Sequence, residues 1–203
     1  MSEEIAKILV EIESINFSFK NYFTLTSGLK SPVYVDCRKI ISFAKEREFI
    51  IDKAIQYLND HKIENEIITG GETAGIPYAA FLSQRLKKPM AYIRKKPKGF
   101  GIGKQIEGEF KKNQTTLLVE DLATDGGSKV NFVNAIRKAG LIVNDIFVIF
   151  YYDIFDYRKT ALYKLNVKMH SLCTWKSIVR YLEKNNVYSD SEILSLKEFL
   201  NDP

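Results

Sequence analysis

Between Leu117 and Lys129 the chain reads LLVEDLATDGGSK. An apolar run delivers two adjacent carboxylates, Glu120 and Asp121, followed by Leu122, Ala123, Thr124, Asp125, Gly126, Gly127 and Ser128. Two glycines ahead of a helix let the backbone approach an anion and turn successive N–H groups toward it. The helix terminus adds partial positive charge, and the Thr124 and Ser128 hydroxyls can donate. Such a cup suits a phosphate dianion. Glu120 and Asp121 would repel that phosphate if they faced it, and are better placed to accept hydrogen bonds from sugar hydroxyls. Their charge beside a ribose would also stabilise an oxocarbenium-like transition state. The segment reads as a holder for a phosphorylated ribose, in an enzyme that acts on a sugar phosphate. An ordinary strand–turn–helix would explain the glycines but not the whole order of residues.

A second cluster is cationic. Arg94, Lys95, Lys96, Lys98 and Lys104 crowd the span 94–104, interleaved with Pro97, Gly99, Gly101 and Gly103. A nucleic-acid stripe usually sets its cations on a helix face or sheet with exposed aromatics between them. Here Gly and Pro keep them out of regular structure, which predicts a mobile basic loop over about 95–107. Such a loop can close on a polyanionic substrate and open for release.

Both groups need a scaffold. Ile5, Ile8, Leu9, Ile12 and Ile15 keep helical spacing, and Phe49, Ile50, Ala54, Ile55 and Leu58 mark a second amphipathic helix. Between them SGLKSPVYVD reads as a turn into a short strand, Val33 and Val35 alternating with Tyr34. Strands are predicted over 66–69, 89–94, 115–120 and 145–152. The turn Gly70–Gly75 leads into a helix reaching about Lys87, and a further helix spans 128–139. The tail adds a helix after Ser171 and another opening at Ser189, where Ser189 and Glu192 have capping-box spacing. Strands alternating with helices of this length predict an α/β fold, a mainly parallel sheet flanked by helices.

Composition agrees with one globular unit. The 203 residues are 45% apolar and 27% charged, with a formal charge of +5, enough for one core and unlike a disordered chain. Cys37 and Cys173 form no CxxC pattern and are expected to be inert in a reducing cytoplasm. His61 and His170 have no partners at metal spacing. The N-terminal segment is acidic and amphipathic, unlike a secretory signal. The longest apolar run is too short to span a bilayer, so a cytoplasmic protein is expected.

EDLATDGGS resembles the ribose-5-phosphate motif of the type I phosphoribosyltransferases, which use 5-phosphoribosyl 1-diphosphate. FTLTSGLKSPVYVDCRK (Phe23–Lys39) resembles the N-terminal substrate segment of the orotate phosphoribosyltransferases, and RKKPKGFGIGKQIEG (Arg94–Gly108) their catalytic loop. The likeness extends from GGETAGIPYAA through the ribose motif and so covers most of the chain. It implies the type I phosphoribosyltransferase fold over 1–203, with a small hood from about 1–40 and the C-terminal segment. The length leaves no room for a fused decarboxylase.

The resemblance also implies residue roles. Glu120 and Asp121 would hold the ribose 2′- and 3′-hydroxyls, and Ala123–Ser128 would wrap the 5-phosphate with Leu122 beside them. Thr73 would contact the pyrophosphate, and Arg94, Lys95 and Lys98 would neutralise it as it leaves, Lys98 being the principal catalytic cation. Mg2+ would bridge substrate oxygens, held by substrate and water with no dedicated protein ligand. A homodimer is implied, with the loop donated in trans; the partners are orotate and 5-phosphoribosyl 1-diphosphate, not nucleic acid or membrane. Three positions depart from the pattern. Phe100 stands where many relatives have a loop His, Thr26 where many have a Lys, and Ile154 where an Arg often meets the orotate carboxylate. Lys30 and Arg38 are the candidates for orotate's charge, with Thr124 also near the base. A phosphoribosyltransferase for another base, or a non-catalytic ligand-sensing regulator, are the alternatives.

Overall fold

The computed structural model describes residues 2–24, 28–97 and 105–201. In chain order the elements are α1 (Ser2–Glu11), β1 (Ile15–Phe17), β2 (Phe23–Thr24), β3 (Lys30–Ser31), β4 (Val33–Val35), α2 (Ala44–Asp60), β5 (Ile67–Gly71), α3 (Gly75–Leu86) and β6 (Met90–Ile93). They continue with β7 (Ile106–Glu107), β8 (Thr115–Ala123), α4 (Gly127–Lys138), β9 (Ile142–Tyr151), α5 (Ala161–Lys164), β10 (Lys168–Thr174), α6 (Trp175–Lys184) and α7 (Asp190–Asn201). A six-stranded sheet in the order β10-β9-β8-β5-β6-β7 forms the centre. Its strands are parallel except β7, which pairs antiparallel with β6. This is the expected α/β sheet.

Strand periodicity divides the core. Leu117, Val119, Phe147 and Ile149 join one apolar cluster with α1, α2, α3, α6 and α7. Leu118, Ile146 and Val148 turn the other way and pack with α4 and α5. Adjacent strand residues point to opposite faces, so each buried strand feeds both layers. Trp175 is buried in the first cluster, where Phe150 and Tyr152 meet its ring edge-to-face. The N-terminal pairs β1–β4 and β2–β3 lie outside the main sheet. Both cysteines are free and buried, and burial pushes the Cys37 thiol up and the Cys173 thiol to about 12.

Several boundaries differ from the sequence reading: β9 begins at Ile142 and β7 forms inside the expected basic loop, and four further differences have a clear physical reason. Ile15 leaves the first helix: Glu13 adopts φ 54° and Ser14 N–H closes on Leu9 O, so Ile15 begins β1 opposite Val35. β5 continues through Gly70 and Gly71, which pair with Tyr92 and Ile93. Only glycine fits at 70, because a Cβ there would lie 2.8 Å from Ile76 Cα and 2.9 Å from Ala79 Cβ as α3 folds back. β8 runs on to Ala123, whose carbonyl accepts from Tyr152 N–H. Lys168–Thr174 is a strand, not a lead-in to a helix, and supplies the outer parallel edge beside β9. The capping box forms: Ser189 N–H donates to Glu192 Oε2 at 2.9 Å.

Candidate active site

The carboxyl ends of β5 and β8 lie side by side, the place where parallel sheets bind ligands. A cleft of about 530 Å³ opens there, lined by Glu120, Asp121, Thr73, Arg38, Ser128 and the basic pair Lys95 and Lys96, together with Glu72 and Lys129. Strand alternation separates the two acids. Glu120 turns toward α4, where its Oε2 accepts from Lys129 Nζ at 2.8 Å. Asp121 turns toward the hood, where its charge raises the pKa of Cys37 and of Tyr78. Both acids are buried, at 5% and 7% exposure. Burial raises the pKa of each; Lys129 opposes it at Glu120 by charge and hydrogen bond, and at Asp121 the Leu122 amide, then the more distant charge of Lys129 and Asp121's own amide oppose it.

The turn after the acids runs from β8 directly into α4. Gly126 adopts φ 81°, and a Cβ there would strike Leu162. No side chain caps the N-terminal end of α4 at Gly126. Asp125, however, already takes one amide of the cup, because Gly127 N–H donates to its Oδ1 at 3.0 Å. Thr124 and Asp125 are exposed, while Leu122 is half-buried and Ala123 buried.

Across the cleft, Glu72 anchors the root of the basic segment: its Oε2 accepts from Lys95 N–H at 2.7 Å. Arg94 N–H donates to Gln105 O at 2.9 Å, and Gln105 Nε2 donates back to Arg94 O at 2.9 Å. The two feet of the segment are therefore pinned together where β6 meets β7. Lys98, Phe100 and Thr26 lie outside the described residues. Arg38 is set by its neighbours: Asp36 Oδ1 accepts from its Nε at 2.6 Å, and Tyr78 Oη donates to Cys37 O at 2.5 Å. Lys30 is not among the cleft-lining residues; its Nζ donates to Thr24 Oγ1 at 2.7 Å on the β2–β3 hairpin. Ile154 packs half-buried against the N-terminal core.

Gly71 completes the wall behind Glu120. A Cβ at 71 would collide with Glu120 Oε1 and sit 2.8 Å from the Phe132 ring. Gly71→Ala is accordingly expected to lower stability by about 1–3 kcal/mol, the usual cost of overpacking. The Michaelis constant for the sugar phosphate should rise with it; thermal melts and steady-state kinetics on the same preparation check both.

No protein-family model matches the chain. The curated orotate phosphoribosyltransferase of Roseobacter denitrificans is 44% identical over 205 residues, covering 100% of this chain and 91% of that protein. The chain belongs to the orotate phosphoribosyltransferase family. Its fold is that of the type I phosphoribosyltransferases, and it is a transferase. Two solved structures carry the same architecture. The orotate phosphoribosyltransferase of Aeropyrum pernix superposes with a TM-score of 0.74 at 28% identity, over 91% of this chain and 99% of that one. The UMP synthase of Leishmania donovani gives 0.82 at 27% identity, over 100% of this chain and 42% of that one. Within the orotate phosphoribosyltransferase frame, the residue that sequence reasoning missed is Lys129. A lysine one turn into an amphipathic helix reads as surface; its proximity to Glu120 depends on the strand-to-helix turn.

Proposed function

We propose that this cleft transfers the 5-phosphoribosyl group of 5-phosphoribosyl 1-diphosphate to N1 of orotate, giving orotidine 5′-monophosphate and pyrophosphate for pyrimidine synthesis. The bond from C1 to the pyrophosphate oxygen breaks as the bond from orotate N1 to C1 forms, and the proton of N1 is released to water. The observation that carries the reading is the meeting, in one cleft, of two buried acids with Thr73, Ser128 and the cations Lys95 and Lys96. Acids beside the ribose stabilise positive charge developing at C1, while cations stabilise the departing pyrophosphate, most strongly once water is excluded.

The roles proposed are those the family pattern implies. Glu120 and Asp121 serve the ribose hydroxyls, and the cup from Ala123 to Ser128 takes the 5-phosphate, which displaces the Asp125 carboxylate from the Gly127 amide. Thr73, Arg94 and Lys95 serve the pyrophosphate, with Lys98 added from the loop of a second copy in a homodimer. Mg2+ suits a cleft of this kind, where the buried Glu120 is already taken up by Lys129 and both acids are left to the ribose. Held mainly by substrate and water, it would supply charge neutralisation on the diphosphate. Among the described residues no helix is long and apolar enough to cross a membrane.

Arg38 lines the cleft, whereas Lys30 and Thr124 are not among its lining residues, which favours Arg38 for the orotate carboxylate where the family's arginine is replaced by Ile154. Arg38→Met is expected to raise the KM for orotate about tenfold, the worth of one charge-assisted contact, with less than about a twofold change for 5-phosphoribosyl 1-diphosphate. Equal effects on both substrates would move Arg38 to the sugar phosphate. The acceptor itself is tested by pyrophosphate release with orotate, uracil, adenine and hypoxanthine offered separately. Release with orotate alone is expected; release with another base and none with orotate would overturn the assignment.

A further inference from the structure

Lys129 is a cleft cation to which none of the roles above is given. It stands in the first turn of α4 and is only 7% exposed. An ammonium is costly to bury without a partner. Its partner is Glu120, Nζ to Oε2 at 2.8 Å, and the two side chains are 9% and 7% exposed. The other carboxylate oxygen, Oε1, is buried with no hydrogen-bond partner among the described residues. It lies against the glycines of the facing turn, where a Cβ at Gly75 would come within 2.7 Å of it. The carboxylate is therefore gripped by an ammonium on one side and walled by backbone on the other.

The charges around Glu120 come from every element at the cleft. Asp121 adjoins it on β8, Glu72 stands on the turn after β5, Lys95 and Lys96 follow β6, and Arg38 comes from the hood. Burial and Asp121 favour the neutral acid, whereas Lys129, by charge and by hydrogen bond, and then Lys95 favour the carboxylate. Lys129 is the one cation in direct contact with Glu120 among the described residues.

We propose that Lys129 is a positioning residue: it holds Glu120 ionised and in one orientation ready for the ribose, and offsets the repulsion between that carboxylate and the incoming phosphates. The inference rests on the sugar-phosphate reading of the cleft. An acid that spends part of its time protonated, or swings between rotamers, stabilises developing positive charge less well, so the effect of Lys129 passes through Glu120 rather than through direct contact with substrate.

A double-mutant cycle on the full-length chain with Mg2+ tests it. Affinity for 5-phosphoribosyl 1-diphosphate is read by calorimetry, and kcat/KM as a function of pH. Lys129→Met is expected to weaken both by about thirtyfold, and Lys129→Arg, which keeps the charge, to stay within about threefold of wild type. The acid limb of the kcat/KM profile should move up by about one pH unit in Lys129→Met, because Glu120 then gains a proton more readily. In a Glu120→Gln background, Lys129→Met should cost less than about twofold further, since little is left to position. An equal loss in both backgrounds would make Lys129 a direct phosphate ligand and overturn the proposal, as would an unmoved acid limb. Should Lys129→Met alone fail to fold, Glu120→Gln against the double variant, which buries no unpaired charge, carries the comparison. A wild-type chain that binds the sugar diphosphate without consuming orotate overturns the acceptor alone, and the cycle is still read on affinity. One that binds none overturns both.

Discussion

Asp121→Asn is expected to lower kcat/KM by about a thousandfold while raising the melting temperature by a few degrees. On the proposed role, the activity loss follows from removing a negative charge beside the ribose as it becomes positive. The stability gain follows from burial: the Asp121 pKa is raised by desolvation, only partly opposed by the backbone amides at 121 and 122. A carboxyl whose folded pKa lies above its unfolded one binds its proton more tightly in the folded chain. Its contribution to stability therefore falls as pH rises from the unfolded value through the folded value, and stays reduced at neutral pH. Asparagine keeps the shape and carries no such cost. Glu120→Gln should behave oppositely in stability, because it strands the buried Lys129 ammonium without its carboxylate. Melting curves at neutral pH separate the two acids: Asp121→Asn up, Glu120→Gln down. A lower melting temperature for Asp121→Asn with activity retained would remove Asp121 from both roles.

Lys98→Ala should reduce kcat by about a hundredfold to a thousandfold with the melting temperature unchanged, if its charge serves the departing pyrophosphate as proposed. The root of its segment is defined by the reciprocal bonds between Arg94 and Gln105 and by the grip of Glu72 on Lys95. Lys95 and Lys96, at the near foot, line the cleft of their own chain. Mixing Lys98→Ala with Asp121→Asn under conditions of proven subunit exchange should restore about a quarter of wild-type activity. Half the dimers are then mixed, and one of the two sites in each is whole if loops are exchanged. No recovery would place each loop over its own site.

Much of this was legible before any coordinates. Apolar runs bounded by Gly and Pro located β5, β6, β8 and β9, and the Ser189–Glu192 spacing found the start of α7. The acids, the glycine cup and the basic span could be read because each needs unusual residue types in a fixed order. β10 was not legible: KMHSLCT mixes polar and apolar residues without clean alternation, as a strand at a sheet edge can. The extension of β5 through Gly70–Gly71 was hidden because glycines signal a turn locally, while here they admit α3 and make room for Glu120. Lys129 was hidden for the same kind of reason: its burial is decided by a strand nine residues earlier in the chain, not by its own helix. Lys30 and Arg38 were equivalent as cations near one motif; the fold separates them by leaving Lys30 on a hairpin and turning Arg38 into the cleft.

The central claim is that the cleft holding Glu120 and Asp121 consumes orotate. The direct measurement follows orotate absorbance after adding 5-phosphoribosyl 1-diphosphate and Mg2+ to the wild-type chain and, in parallel, to Asp121→Asn. The account predicts a fall in absorbance that reverses on adding pyrophosphate with the wild type, and next to none with the variant. Steady absorbance with wild type, or equal rates for the two proteins, would contradict it.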